Sequence, residues 1–134
     1  MQPLPLFLLQ ETQKSCTDST GYQNDKTKGA GVYAVRGEAK IMQDLMTNGP
    51  QAVAFKVYTD FETYKGGVYQ HHSGTMAGGH AVEFVGWGTE GGVKYWLVKN
   101  SWNTAWGDGG FFKIERGVNM CGIESSVYGV HIDV

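Results

Sequence analysis

The stretch Gly78–Phe112 decides the fold and reads GGHAVEFVGWGTEGGVKYWLVKNSWNTAWGDGGFF. Two apolar, alternating runs flank a loop rich in Gly, Thr and Glu, which is the pattern of a β-hairpin. We predict antiparallel strands with Gly88 facing Gly92, a register that places His80 directly opposite Asn100. A slip of one residue would turn Asn100 to the other face, and the many glycines favour bulges that shift registers.

A histidine beside an asparagine suggests a chemical role. An amide oxygen can accept a hydrogen bond from one ring nitrogen, fix the tautomer and leave the other nitrogen for a reacting partner. Trp102 follows Asn100 by two residues and would cover such a bond, strengthening it by excluding water. The alternative is a pair, His80 and Asn100, that only satisfies hydrogen bonds at a strand end. The surrounding residues must decide between these interpretations.

Upstream, residues 38–48 predict a short helix, ended by Gly49 and Pro50. Its core face consists of apolar residues at helical spacing: Ile41, Met42, Leu45 and Met46. Residues 17–32 predict a surface loop. Asp60 is expected to cap a single turn that runs through Phe61 and Tyr64.

Further strands are predicted from short apolar or alternating runs: Gln51–Tyr58 with Val53, Phe55 and Val57 on one side, then Val68–Gln70, Phe111–Glu115 and Val127–Ile132. The last of these is expected to close the sheet. The fold class is therefore α+β, mainly β, with an antiparallel barrel-like sheet and one short helix.

Composition narrows the function classes. A chain of 134 residues supports one domain with a real core. A net charge of −2 with mixed signs and no basic cluster excludes nucleic-acid and acidic-membrane partners. Residues 1–10 contain two prolines and no Lys or Arg, so we predict neither a working signal peptide nor a membrane span there. We expect the chain to begin inside a longer ancestor, with Met1 an artefact of truncation or of gene modelling.

Several ordered motifs resemble the papain family of cysteine proteases, and its cathepsin B branch most closely. The resemblance covers residues 16–134 and leaves 1–15 as an atypical N-terminal lead-in. The motifs are Asn48-Gly49-Pro50, Val57-Tyr58-Thr59-Asp60-Phe61, Gly67-Val68-Tyr69-Gln70-His71, Gly78-Gly79-His80-Ala81-Val82, Gly86-Trp87-Gly88, Tyr95 to Asn103, Trp106 to Phe112 and Cys121-Gly122-Ile123-Glu124-Ser125. Residues 16–134 would then be a partial peptidase domain, the right-hand half of the family fold.

The resemblance implies a cysteine-type peptidase that works by acyl transfer. His80 would be the catalytic base and acid, Asn100 would orient it, and Trp102 would shield the pair. Trp106 is expected to serve packing alone.

The resemblance also implies a substrate cleft. Gly79 and Ala81 would line it beside His80. Ser126 would lie at the floor of the S2 pocket, where the cathepsin B branch has Glu. A serine there predicts a preference for hydrophobic rather than basic P2 residues.

The family nucleophile is not apparent in this chain. Cys16 is the only cysteine before His80, and its context, Lys14-Ser15-Cys16-Thr17-Asp18, lacks the Gly and aromatic neighbours of the family motif. We predict that the chain alone is inactive. The nucleophile would belong to a missing left-hand, Cys-bearing domain, and the apolar face that packs on that domain would be exposed.

Cysteine pairing and metal binding are predicted to be absent. By the resemblance, Cys16 corresponds to cysteines bonded to residues upstream, and Cys121 to one that is commonly unpaired, so no Cys16–Cys121 disulfide is expected. His71 and His72 are adjacent on a presumed strand and would point to opposite faces, which makes a poor chelating pair. We predict no metal and no cofactor.

Two function classes remain. In the first, the chain represents a cysteine peptidase whose partners are peptide or protein substrates, the left-hand domain and cystatin-like inhibitors. In the second, it is a non-catalytic homologue that binds peptides or proteases. The resemblance places either in a lysosomal, vacuolar or extracellular setting.

Overall fold

The computed structural model describes residues 29–132. The chain divides into two compact units, one of which includes 29–31 and 131–132 of the described residues, while the other is Val32–Val130. Apart from the outer ends of the first and last strands, the statements below concern the second unit. None of the helices within residues 29–132 has the length and apolar character needed to cross a membrane.

The described elements follow one another in this order: β1 Gly29–Val35, α1 Glu38–Asn48, β2 Gln51–Tyr58, α2 Thr59–Glu62, β3 Val68–Tyr69, β4 Met76–Glu90, β5 Val93–Lys99, β6 Phe111–Glu115, a 3₁₀ turn Met120–Gly122 and β7 Val127–Ile132. The strands form one sheet in the order β1-β7-β2-β4-β5-β6-β3. The β2–β4, β2–β7, β4–β5 and β5–β6 pairs are antiparallel, and β3 lies parallel to β6.

This architecture confirms the α+β, mainly β fold class, in which the predicted short helix is α1 and α2 is a further helix of four residues. The expectation that β7 closes the sheet is wrong, because β7 lies between β1 and β2 and the described sheet stays open from β1 to β3. The predicted loop over 17–32 is also wrong where it can be compared, since β1 begins at Gly29. Its earlier residues lie outside the described part of the chain.

The helix α1 has the predicted bounds and buries Ile41 and Leu45. Gly49 follows it at φ +94° and ψ −165°, a conformation that glycine adopts without strain, and donates its backbone N–H to the carbonyl of Leu45. The prediction that Met46 is a core residue is wrong, since it is 74% exposed. The four apolar residues of the predicted core face cover a wider part of the helix surface than α1 buries.

The core lies against one face of the sheet. Strand β2 buries every second residue, as predicted, and Phe55 lies between Phe61 and Phe112 at ring-centroid distances of 5.2 and 5.7 Å. Phe61 is fully buried and supports the indoles of Trp102 and Trp106 at 5.5 and 5.0 Å. This aromatic cluster forms the wall behind the candidate site.

The hairpin β4–β5 differs from the predicted register. Glu90 faces Val93 across a two-residue turn, Gly91-Gly92, whose φ values are +57° and +81°. Positive φ at both central residues is the requirement of a type I′ turn, which glycine meets without strain. The turn therefore lies nearer to β5 than expected, and Gly88 faces Tyr95 rather than Gly92.

A β-bulge then changes the register once more. Phe84 pairs with Val98 and Gly86 with Leu97, so Val85 is an extra residue in β4. Continuing the register beyond the bulge, Asn100 faces Val82 rather than His80. The predicted opposition of His80 and Asn100 is thus wrong in detail, although both side chains lie on the same face of the sheet.

Candidate active site

His80 and Asn100 are joined by a hydrogen bond. The His80 ring nitrogen Nε2 lies 2.8 Å from Asn100 Oδ1. Strand β4 supplies His80, which faces Phe55 across the β2–β4 pair, and Asn100 follows the last residue of β5. The backbone N–H of Asn100 donates to the carbonyl of Gly110 at 3.0 Å, which anchors the residue beyond the strand end.

The Asn100 amide has a defined orientation. The backbone N–H of Ser101 donates to the same Oδ1 at 2.8 Å. Since a backbone N–H can only donate, the atom it contacts must be the amide oxygen. His80 Nε2 must therefore carry the proton of the bond, and neutral His80 has its lone pair on Nδ1. The contribution of Ser101 was not predictable from the sequence, because any residue except proline can donate a backbone N–H.

Nδ1 of His80 is the nitrogen available for chemistry. Within residues 29–132, no hydrogen bond to this atom is found. The Nδ2 of Asn100 is buried and also lacks a hydrogen-bond partner among the described residues. The arrangement can hold an imidazole in one tautomer and present one basic nitrogen to a reacting group.

Trp102 covers this pair. Its indole stacks on the His80 ring with centroids 4.9 Å apart and planes inclined by 21°. Trp102 is itself held edge-on by Trp106 at 5.1 Å, and the Trp106 Nε1–H donates to the carbonyl of Glu62 at 3.0 Å. Trp106 therefore has the predicted packing role.

Phe61 was not predicted as part of this support. The sequence predicts it only as part of a helical turn, although it stands in one of the quoted motifs. Its ring lies against both Trp102 and Trp106, so it links the hydrophobic core to the indole that covers His80.

The predicted cleft residues lie on the outward face of β4. Gly79 and Ala81 are exposed, whereas the His80 ring is half-buried on the inner side. Ala81 faces Ala54 of β2, whose backbone N–H donates to the carbonyl of Ser126 at 3.1 Å. Ala81 and Ala54 thus lie on adjacent strands, and half-buried Ser126, the residue before β7, lies beside β2.

A second polar cluster is centred on Asp60. The prediction that Asp60 caps α2 is wrong, because that helix begins at Thr59 and makes no side-chain cap bond. The Asp60 carboxylate instead accepts the Tyr69 hydroxyl at 2.6 Å and the backbone N–H groups of His72 and Ser73 at 3.0 and 3.2 Å. His71 Nδ1 lies 3.1 Å from both carboxylate oxygens.

These contacts shift the pKa values of Asp60 and Tyr69. Partial burial alone would raise the pKa of Asp60, but the hydrogen bonds from Tyr69, His72, His71 and Ser73 hold that pKa well below its usual value. Burial, and then the bond to Asp60, raises the pKa of the Tyr69 hydroxyl. Asp60 therefore stays ionised in mild acid and fixes the loop between β3 and β4.

The described part of the chain contains one cysteine, Cys121, which carries a free thiol. Burial raises the pKa of this thiol, which keeps it protonated near neutral pH. The predicted absence of a Cys16–Cys121 bond involves Cys16, which lies outside the described residues.

The presumption that His71 and His72 lie on a strand is wrong. Both follow the end of β3, where the ring of His71 pairs with Asp60 and stacks on Tyr58 at 3.8 Å. Within residues 29–132, no group of three or more His, Cys, Asp or Glu side chains has the arrangement of a metal site.

Comparisons with known proteins identify relatives of this chain. The model of the papain family of cysteine proteases matches residues 7–131. Cathepsin B-like cysteine proteinase 6 of Caenorhabditis elegans is 50% identical over 132 residues, which is 95% of this chain and 35% of that protein. A gut-specific cysteine proteinase of the same organism is 54% identical over 110 residues, or 81% of this chain and 33% of that protein.

A solved structure shows the same fold. Procathepsin B S9 from Trypanosoma congolense superimposes with a TM-score of 0.81 at 41% identity, covering 91% of this chain and 42% of that one. The chain therefore spans about a third of the length of the curated relatives it matches.

Proposed function

Because the chain belongs to the papain family of cysteine proteases, we propose that it supplies the acid–base half of a cysteine peptidase site. The observation that carries this proposal is the 2.8 Å bond from His80 Nε2 to Asn100 Oδ1 beneath Trp102. A base whose tautomer is fixed by a third group is the arrangement that activates a nucleophile for acyl transfer.

The proposed reaction uses His80 Nδ1 as the proton carrier. Nδ1 takes the proton of a cysteine thiol, giving a thiolate and an imidazolium whose Nε2–H stays bonded to Asn100. The thiolate attacks the peptide carbonyl, and His80 returns the proton to the leaving amine as the C–N bond breaks. His80 then takes a proton from water, which attacks the thioester and releases the acid and the thiol.

The nucleophile is assigned to a separate Cys-bearing domain. Cys121 is a poor candidate because its raised pKa keeps the thiol neutral. Cys16 lacks the sequence context of the family nucleophile. Since the chain spans about a third of its relatives' length, the remaining part of such enzymes is the natural source of the thiolate. On this proposal the chain alone does not cleave peptides.

Specificity and setting follow from the same proposal. Ser126, joined to the strand that carries Ala54, replaces a carboxylate at the floor of the S2 pocket and favours hydrophobic P2 residues. The partners are peptide or protein substrates and cystatin-like inhibitors. A lysosomal, vacuolar or extracellular setting is proposed, and the depressed pKa of Asp60 suits an acidic one.

The test is reconstitution. The chain is fused behind the N-terminal part of the Caenorhabditis elegans cathepsin B-like cysteine proteinase 6, and hydrolysis of a fluorogenic dipeptide is followed. We expect turnover by the fusion and none by the chain alone. His80→Ala should lower kcat by several orders of magnitude, on the order of 10⁴-fold or more, whereas the matched control His72→Ala should keep full activity.

Two outcomes would oppose the proposal. Equal turnover by the fusion and its His80→Ala variant would remove His80 from the chemistry. A folded fusion that binds peptides without cleaving them would favour the second function class, a non-catalytic homologue.

A further inference from the structure

The outward face of the sheet carries an exposed lysine, Lys56, beside His80, and a second one, Lys99, lies further along this face opposite Glu83. In the β2–β4 pair, Lys56 is directly opposite Gly79, the residue before His80. Side chains of directly opposed residues have Cβ atoms about 4.5–5.5 Å apart and point to the same face. Lys56 is exposed, and no ion pair or hydrogen bond of its ammonium is found within residues 29–132.

The surface around Lys56 is open. A Cβ placed on Gly79 would meet nothing within 4 Å. The neighbouring outward positions on the two strands, Ala54 and Ala81, are exposed and carry only methyl groups. A flexible lysine stem can therefore lie across Gly79 without displacing another side chain.

Among residues 29–132, no ion pair between an acidic side chain and the Lys56 ammonium is found. Glu83 is the nearest acidic residue on the outward face of β4, but it faces Ala52, four residues away from Lys56 along β2. At a rise of about 3.3 Å per residue, Glu83 and Lys56 are about 13 Å apart along the strands, in addition to the spacing between the strands. This separation is too large for a direct ion pair. Asp60 is engaged by Tyr69, His71 and the following loop.

We infer that Lys56 selects peptides that place an acidic side chain over Gly79. This inference rests on the proposed function, because it takes Gly79 to be part of the substrate surface. The ammonium would pair with a Glu or Asp carboxylate of the bound peptide, while the small residues beside it contact the backbone and apolar side chains. Lys56 is thus a specificity-determining residue that takes no part in the chemical step.

The test measures peptide binding to the full 134-residue chain by ¹H–¹⁵N NMR. Blocked alanine-based pentapeptides containing one Phe carry Glu, isosteric Gln or Lys at each remaining position in turn. The Kd is read from the amide shifts of Gly79 and His80. We expect one position at which Glu binds about two- to fivefold more tightly than Gln, the range for an exposed ion pair, and a loss of this preference at 0.5 M salt.

Variants separate the lysine from general electrostatics. Lys56→Ala should abolish the preference for Glu over Gln, and Lys56→Glu should transfer it to the Lys peptide. Lys40→Ala removes another exposed lysine, on α1, and should leave the preference unchanged.

The failures are distinguishable. Peptides that shift the Gly79 and His80 amides but bind equally well with Glu and Gln would overturn the role of Lys56 and leave the proposed function standing. The same holds if Lys56→Ala retains the preference. If no peptide shifts these amides, the role of Lys56 is overturned together with the substrate surface on which it depends.

Discussion

Asn100 Oδ1 meets His80 Nε2 at 2.8 Å although the two residues are not directly opposed in the sheet. The bulge at Val85 makes this possible. Near the turn Trp87 faces Trp96, and without the bulge this register would set Asn100 opposite Glu83, whose side chain lies on the outward face. The extra residue returns Asn100 to the inner face, where His80 lies.

Trp102 should protect the His80–Asn100 bond from water. Replacing it by Ala removes the ring that stacks on His80 at 4.9 Å. We expect the Nε2 proton of His80 to exchange with solvent about two- to tenfold faster, in line with the energy of one aromatic pair. NMR exchange spectroscopy measures this rate. Trp87→Ala is the control, and an equal acceleration in both variants would argue against a shielding role.

Asp60 should stabilise the fold through the donors gathered around it. Asp60→Asn keeps the shape but removes the charge that accepts bonds from Tyr69, His72 and Ser73. We expect the free energy of unfolding at pH 7 to fall by about 1.5–3 kcal/mol, the range for hydrogen bonds to a charged group. Urea unfolding followed by circular dichroism gives this value, and Asp108→Asn, at an exposed position, serves as the control.

The effect of Asp60 should also depend on pH in one direction. Its folded pKa is lowered, so its contribution is complete above the unfolded value of about 3.9 and is lost as pH falls toward the folded pKa. The stability gap between the wild type and Asp60→Asn should not narrow between pH 7 and 5 and should narrow below about pH 4. A gap that narrows between pH 7 and 5 would contradict the assignment.

The turn Gly91-Gly92 offers a matched pair of substitutions. Gly91 has φ +57° and open space where a Cβ would lie, so Asn, which tolerates this conformation, should fit. Gly91→Asn should leave the free energy of unfolding within about 0.5 kcal/mol or raise it, whereas Gly91→Val should lower it by about 1–2 kcal/mol. Thermal unfolding compares the two. Equal effects would mean that the turn is not the one described.

Ser126 should set the preference at P2. In the fusion enzyme, Ser126→Glu would place a carboxylate beside the strand of Ala54. We expect the ratio of kcat/KM for P2-Arg over P2-Leu substrates to rise about fivefold, the upper value for an exposed ion pair. Ser126→Gln is the uncharged control. A wild-type fusion that already cleaves P2-Arg as fast as P2-Leu would refute the preference for hydrophobic residues.

Local patterns predicted much of this fold. The bounds of α1 and β2 follow from periodicity and from Gly49 and Pro50, because these signals act within a few residues. The register of β4 and β5 was not predictable in detail, since it depends on which two glycines form the turn and on a bulge whose cost is set by packing elsewhere. The face shared by His80 and Asn100 was nevertheless predicted.

Long-range polar contacts were the part that sequence reasoning missed. Asp60 looked like a helix cap, yet its partners lie 9 to 13 residues further along the chain. Arg116 is a second example: it is buried, pairs with Glu38 and donates to the carbonyls of Tyr95 and Gly88. Neither residue belongs to a local pattern that distinguishes a buried, bonded charge from a solvated one.

The most direct test of the central claim is a ¹⁵N NMR measurement of the His80 ring in the full chain. The account predicts that neutral His80 carries its proton on Nε2, with Nδ1 unprotonated, and that Asn100→Ala yields a mixture of both tautomers. A proton on Nδ1 in the wild type, or an unchanged tautomer in Asn100→Ala, would contradict the proposed base and its orienting amide.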